Sequence, residues 1–147
     1  MDVDGTLTDG KIYMGNDGEI MKAFSIKDGY GIRNILIPSG IIPVIITGRE
    51  SHILTNRCKE LGIINVYQGV DNKYDILKCF VNDYSSVAYI GDDENDFNIM
   101  KKIKDFGGII GCPADATQTI KNISDFISKN KGGEGAVREF IEWIISL

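Results

Sequence analysis

Short apolar runs alternate with turn-forming clusters along the chain, and their periodicity changes in a regular order. Lys11 to Met14 and Glu19 to Ser25 flank Gly15-Asn16-Asp17-Gly18, which predicts a β-hairpin over about 11–25. Asp28 stands where it can cap a helix from about Gly29 to Ile37, with Pro38 forcing its end and Ser39-Gly40 making the turn. Ile41 to Thr47 is a β-branched run with little alternation, the pattern of a parallel strand covered on both faces. Ser51 predicts the cap of a helix to about Leu61, with Leu54, Cys58 and Leu61 on one face and Gly62 ending it before a short strand, Asn65 to Tyr67. Lys73 opens a further helix whose apolar positions Ile76, Leu77, Phe80, Val81 and Tyr84 keep helical spacing, and Val87 to Ile90 follows as a strand. A helix from about Asn95 to Ile103, a strand near Gly108 to Gly111 and a short helix from about Ala116 come next. Val137, Phe140, Ile141, Ile144 and Ile145 form the apolar stripe of a last helix that packs on the sheet. The alternation predicts an α/β fold: a Rossmann-like three-layer sandwich with a mostly parallel central sheet and a small β-hairpin insertion.

The 147 residues suit a single domain with a sizeable core. A net charge of −5, with basic clusters no longer than Lys129 to Lys131, argues against nucleic acid as a partner. Cys58, Cys79 and Cys112 are odd in number and widely spaced, so they fit neither a disulfide framework nor a close Cys-x-x-Cys metal site. No apolar run approaches the ~20 residues that span a bilayer, and no signal-like start is present. The expectation is a cytoplasmic protein that does not engage membranes.

Those strands end in a set of polar residues. Asp2-Val3-Asp4-Gly5-Thr6 opens the chain, Thr47 follows the Ile41 run, and Asp92 and Asp93 follow Ile90 and Gly91. Asp-x-Asp-Gly also opens calcium loops, but the twelfth position of an EF-hand would fall on Tyr13, in an apolar run, where a Glu is required. In open α/β sheets the crevice beyond the strand C-termini is where ligands bind, so these residues and Lys73 can meet there. Two carboxylates one residue apart can divide the labour of phosphoryl transfer, one attacking phosphorus and the other handling the proton. Each residue alone has a plainer reading: a helix cap for an Asp after a strand, a solvated cation for a Lys at a helix start.

The order Asp-x-Asp-Gly-Thr, Ile-Ile-Thr-Gly-Arg, Lys73, Gly-Asp-Asp-Glu-Asn-Asp resembles the haloacid dehalogenase superfamily of phosphohydrolases over almost the whole chain. Lys27-Asp28-Gly29-Tyr30-Gly31-Ile32, Thr47-Gly48-Arg49-Glu50-Ser51, Tyr67-Gln68-Gly69 and Gly132-Gly133-Glu134-Gly135-Ala136-Val137-Arg138-Glu139 are similar to its capless branch acting on 3-deoxy-manno-octulosonate 8-phosphate. The pattern also occurs in phosphatases of nine-carbon sugar acids and in non-catalytic domains fused to sialic acid cytidylyltransferases. A phosphoacceptor receiver domain uses similar residues in a different order.

The resemblance implies Asp2 as nucleophile forming an aspartyl-phosphate and Asp4 as general acid and base. It implies Mg²⁺ held by the Asp2 carboxylate, the Asp4 carbonyl and Asp92, with Asp93 and Asp96 in support. Thr47, Gly48 and Lys73 would bind the phosphoryl group. A hard cation is also what the charges require, since a dianionic phosphate cannot otherwise approach two aspartates.

Only the residues from position 5 to position 46 separate Asp4 from Thr47, too few for a cap beside the hairpin and core elements. The expected partners are therefore a sugar-acid phosphate and other copies of the chain. The resemblance implies a homotetramer closed by the hairpin and by a tail hinged at Lys131 to Gly135. A sugar acid carries a carboxylate, for which Arg49 is the first candidate and Arg57 the second. Only Met1 precedes Asp2, where the family has a full strand, so the natural chain is expected to start upstream.

Overall fold

The computed structural model describes residues 1–79 and 81–147. Its strands are β1 (Tyr13–Gly15), β2 (Gly18–Met21), β3 (Val44–Ile46), β4 (Asn65–Tyr67), β5 (Ala88–Ile90), β6 (Ile109–Cys112) and β7 (Phe126–Ile127). Its α-helices are α1 (Ile26–Gly31), α2 (His52–Leu61), α3 (Lys73–Leu77), α4 (Glu94–Asp105), α5 (Gln118–Ile123) and α6 (Ala136–Ile145). β3 pairs in parallel with β4, and β5, β6 and β7 form a second parallel ladder. Residues 1 and 2 join the two. The Met1 amino group donates to the Val44 carbonyl at 2.8 Å, the Met1 carbonyl accepts from the Ile46 amide at 3.1 Å, and the Asp2 amide donates to the Ile90 carbonyl at 3.1 Å. A residue bonded to a carbonyl and an amide two positions apart is paired in parallel. The spatial order is therefore β4, β3, residues 1–2, β5, β6, β7, which puts Asp2 in the middle of the sheet at a strand end.

Successive strand residues face opposite sides, so each strand feeds two cores. Ile45 and Ile90 pack with Val3, Leu54, Cys58, Val137 and Phe140 on the α1, α2 and α6 side. Ile46, Tyr89 and Ile110 pack with Leu77, Ile99, Met100 and Ile103 on the α3, α4 and α5 side. These are the three layers of an α/β sandwich. β1 and β2 form a separate antiparallel hairpin in which Gly15 faces Gly18 across Asn16-Asp17.

Several boundaries differ from the pattern. Ser25, not Asp28, caps the first helix, its hydroxyl accepting from the Lys27 amide at 3.2 Å. Asp28 is buried and accepts from the Arg138 amide at 2.8 Å; it caps α6, whose own cap position, Gly135, has no side chain to do so. Beyond Gly31 the chain passes through a π-turn, Ile32–Leu36, and a 3-10 turn, Ile37–Ser39, that contains Pro38. β3 starts only at Val44, because Pro43 has no amide to donate and Ile41 and Ile42 are exposed. α3 ends at Leu77, and the Asp83 carboxylate caps a separate turn, Tyr84–Ser86. Phe80, assigned by the pattern to the helix opened by Lys73, lies outside the described residues. α4 starts one residue early because Asp93 and Asp96 make a reciprocal capping box. β7 has no counterpart in the pattern.

Candidate active site

The turn after Asp2 is wound tightly. The Val3 carbonyl accepts from the amides of Thr6, Leu7 and Thr8 at 3.1, 2.8 and 3.0 Å, which folds the chain back as it leaves the sheet. Gly5 has φ +93°, and a Cβ there would fall 2.0 Å from Asp92 Oδ2, so only glycine allows this approach. Thr6 Oγ1 donates to Asp92 Oδ1 at 2.8 Å. The first and last acidic motifs, about ninety residues apart, are thereby locked together.

Behind them lies a buried charged cluster. Lys73 Nζ is 2.6 Å from Asp2 Oδ1 and 2.7 Å from Asp96 Oδ1, and all three side chains are at most 4% exposed. Tyr89 donates its hydroxyl to Asp96 Oδ1 at 2.8 Å, and the Asp92 and Asp93 amides donate to Asp96 Oδ2 at 3.0 and 3.4 Å. With both its oxygens engaged, Asp96 organises its neighbours. Asp93 points away, its carboxylate capping α4 on the Glu94 amide at 2.8 Å.

Asp2, Asp92 and Asp96 each offer an oxygen within 4.8 Å of the others. One ammonium cannot offset three carboxylates in a buried site. Burial, then the charge of Asp96, raise the Asp2 carboxyl to about 6, although Lys73 opposes them. Burial and the Asp2 charge raise Asp92 to about 8, against the hydrogen bond from Thr6. Burial disfavours the Lys73 ammonium, yet Asp2 and Asp96 more than compensate, so its pKa is raised. A site that strains against its own negative charge suits a hard divalent cation with oxygen ligands. Asp2 and Asp92 are the carboxylates left to hold it.

Asp4 is managed from the other side, by the hairpin. Lys22, absent from the sequence-based set, is buried with Nζ 2.5 Å from Asp4 Oδ1 and 3.0 Å from Glu19 Oε1. Glu19 Oε2 accepts from the Ser51 hydroxyl at 2.5 Å, and Arg49 approaches both acids, 3.7 Å from Asp4 Oδ2 and 3.8 Å from Glu19 Oε1. Against the effect of burial, the Ser51 hydroxyl and the Lys22 and Arg49 charges hold the Glu19 carboxyl below its usual range. A lone cation in the run Ile20-Met21-Lys22-Ala23-Phe24 was the available signal for Lys22.

Thr47 is buried at the end of β3, its amide donating to the Tyr67 carbonyl at 3.0 Å and its carbonyl accepting from Val70 at 3.1 Å. Gly48 and Arg49 follow on the exposed rim. Arg57 is turned elsewhere: it pairs with Glu60 at 2.9 Å, touches the Ser25 carbonyl at 3.5 Å and lies over the Phe24 ring. The glycine-rich stretch before α6 packs on its own chain. The Gly133 amide donates to the Thr6 carbonyl at 3.1 Å, and a Cβ on Gly132 would fall 1.9 Å from the Gly5 carbonyl oxygen. That stretch packs against the turn that follows Asp2, where a free hinge was expected.

Paired aspartates at a central strand end, a threonine at the next strand end and a buried lysine facing the later acidic motif define a phosphohydrolase of the haloacid dehalogenase class. Comparison with models of known protein families found no match. The chain is 43% identical over 149 aligned positions to 3-deoxy-D-manno-octulosonate 8-phosphate phosphatase KdsC of Salmonella typhi, covering 99% of this chain and 77% of that protein. The crystal structure of the Yersinia pestis 3-deoxy-D-manno-octulosonate 8-phosphate phosphatase superposes with a TM-score of 0.88 at 42% identity, covering 99% of this chain and 78% of that one. The Moraxella catarrhalis phosphatase, solved with a magnesium ion, a phosphate ion and KDO, superposes with a TM-score of 0.88 at 38% identity, covering 99% and 83%. This chain belongs to the 3-deoxy-D-manno-octulosonate 8-phosphate phosphatase family.

Proposed function

We propose that the chain is a Mg²⁺-dependent phosphatase that hydrolyses 3-deoxy-manno-octulosonate 8-phosphate through an aspartyl-phosphate on Asp2. The observation that carries this reading is the buried cluster of Asp2, Lys73, Asp92 and Asp96 at the C-terminal edge of the sheet, in a chain 43% identical to enzymes of that name. Asp2, the Asp4 carbonyl and Asp92 would hold Mg²⁺, which would supply the positive charge that admits a phosphate dianion and offsets charge on its oxygens. Lys73, held by Asp96, which Tyr89 in turn anchors, places its ammonium beside the attacking carboxylate, while Thr47 and the Gly48 amide contact the phosphoryl oxygens. Asp2 attacks phosphorus as the bond to the sugar oxygen breaks, and Asp4 gives that oxygen its proton. Asp4 then takes a proton from the water that attacks phosphorus, which frees Asp2 and releases phosphate. Arg49, on the rim beside Asp4, meets the sugar carboxylate. Arg57 could do so only by leaving Glu60.

The described elements include no separate cap domain beyond the hairpin, and we assign the covering of the site's rim to neighbouring subunits. Met14 and Ile20, 61% and 66% exposed, stand with Ile12 and Met21 on a two-stranded hairpin that pairs with no other described strand. A hairpin of this kind is marginal alone and gains from packing against copies of itself, which favours a homotetramer. The chain's three cysteines, Cys58, Cys79 and Cys112, are all free, which suits the cytoplasm. A phosphate-release screen over eight- and nine-carbon sugar-acid phosphates tests the reading. The eight-carbon ester should be the best substrate, and chelation of Mg²⁺ should abolish release. Preference for a nine-carbon ester would move the assignment to that branch.

A further inference from the structure

We infer that Lys22, supplied by the hairpin, is a positioning residue for Asp4 that fixes which carboxylate oxygen carries the transferable proton. The inference rests on the acid–base role of Asp4 proposed above.

Lys22 is unusual among the lysines outside the central cluster. Its side chain is 1% exposed although it follows a solvent-facing strand, and its ammonium sits between Asp4 Oδ1 at 2.5 Å and Glu19 Oε1 at 3.0 Å. Glu19 is anchored in turn through Oε2 to the hydroxyl of Ser51, the residue that caps α2 after the Thr47-Gly48-Arg49 loop. The chain of contacts runs from the hairpin through Glu19 and Lys22 to Asp4, and from Glu19 to the α2 cap. A burial this complete costs a cation its hydration, which a merely solubilising lysine would not bear.

The chemistry follows from the donor inventory. An ammonium has protons to donate and no lone pair to accept one, and the carbonyl-type oxygen of a protonated carboxyl accepts better than its hydroxyl oxygen, so the contact with Lys22 holds Oδ1 as the acceptor. The proton is thereby directed to Oδ2, the oxygen on the Arg49 side. In the first step the Asp4 Oδ2–H bond breaks and the proton moves to the departing sugar oxygen, as the Asp2–phosphorus bond forms and the phosphorus–sugar oxygen bond breaks. In the second step Oδ2 recovers a proton from the attacking water as the Asp2–phosphorus bond breaks. Glu19 balances the charge of Lys22, so the lysine holds Asp4 without adding a net charge to it.

The test uses the full chain with Mg²⁺ and two esters that differ in their need for an acid. The sugar alkoxide of 3-deoxy-manno-octulosonate 8-phosphate is a poor leaving group, whereas p-nitrophenolate leaves from p-nitrophenyl phosphate unaided. In Lys22→Met the single-turnover release of the sugar should slow about 10- to 100-fold, a part of the ~10²- to 10⁴-fold that acid catalysis supplies, while release of p-nitrophenolate slows about threefold or less. Half-saturation by either ester should stay within about threefold, and Lys22→Arg should recover most of the rate. Glu19→Gln should show the same ester dependence with a smaller loss, and it serves if Lys22→Met does not fold. Equal slowing on both esters would overturn the inference, as would weaker half-saturation at an unchanged rate, which would make Lys22 a substrate contact. Asp4→Asn run alongside separates the two readings: equal slowing there would remove the acid–base role from Asp4 itself, and Lys22's role with it.

Discussion

The two aspartates proposed as nucleophile and proton-handling group stand two residues apart but are secured in opposite ways. Asp2 is held by the core: the sheet on either side, Lys73 from α3, and Asp96 and Tyr89 behind it, all buried. Asp4 is held from outside, by Lys22 and the nearby Arg49, from a hairpin and a rim loop that the sheet does not include. With the roles proposed for them, attack on phosphorus depends on the integrity of the domain, whereas proton transfer depends on where the hairpin sits. An exposed apolar hairpin is also the proposed assembly surface, so association can tune the second carboxylate while leaving the first in place.

The sharpest break in this contrast is at Asp2 itself. Asp2→Asn should lower steady-state phosphate release by about 10³-fold or more while the melting temperature stays near wild type, and release within threefold of wild type would remove Asp2 as nucleophile. On the outer side, Arg49→Ala should cost about tenfold more on a sugar-acid phosphate than on a small generic ester, as expected for a charge-assisted contact to the substrate carboxylate. Equal losses would take Arg49 out of that role. Ile20→Asp places a charge on the hairpin's exposed apolar face and should shift light scattering from about four chains toward one at micromolar concentration, with a loss of activity smaller than that of Arg49→Ala. A fully active monomer would contradict closure by neighbours.

The last effect lies away from the site and is read in stability, with activity little changed. Burial raises the Asp28 carboxyl to about 6 although the amides of Arg138, Gly135 and Val137 favour its charged form. Its folded pKa thus exceeds the unfolded value of 3.8, so the folded state binds the extra proton between them. The stabilisation is complete below about pH 4 and is lost by about pH 6, a change of roughly 3 kcal/mol at most. Relative to Asp28→Asn, the wild-type melting temperature should fall over that interval and then level off. A difference that is flat with pH would show that Asp28 does not titrate there.

Much of this was legible because it depends on local pattern. Strand ends carrying Asp2, Thr47 and Asp92 could be read from apolar runs and from the turns that stop them, and Lys73 from its place at a helix start. The boundaries that moved did so for reasons in three dimensions. Asp28 reads as the cap of its own helix but serves α6, over a hundred residues away, because Gly135 leaves that helix without a cap. Pro43 shortened β3 by withholding one amide. Lys22 and Glu19 escaped because burying an ion pair on a hairpin requires knowing that the hairpin folds over the Asp4 turn, which no local signal states. Arg57 was named for its charge, and its neighbours Glu60 and Phe24 occupy that charge elsewhere.

The central claim is a phosphoryl group covalently held on Asp2, and Asp4→Asn should reveal it by slowing the second step more than the first when the leaving group needs no acid. Mixing this variant with p-nitrophenyl phosphate and Mg²⁺, quenching in acid as the first equivalent of p-nitrophenolate appears, and sequencing the acid-stable peptides by mass spectrometry reads the intermediate directly. The account predicts a phosphoryl group on the peptide that contains Asp2, assigned to Asp2. A full equivalent of p-nitrophenolate released with matching free phosphate and unmodified protein would contradict it.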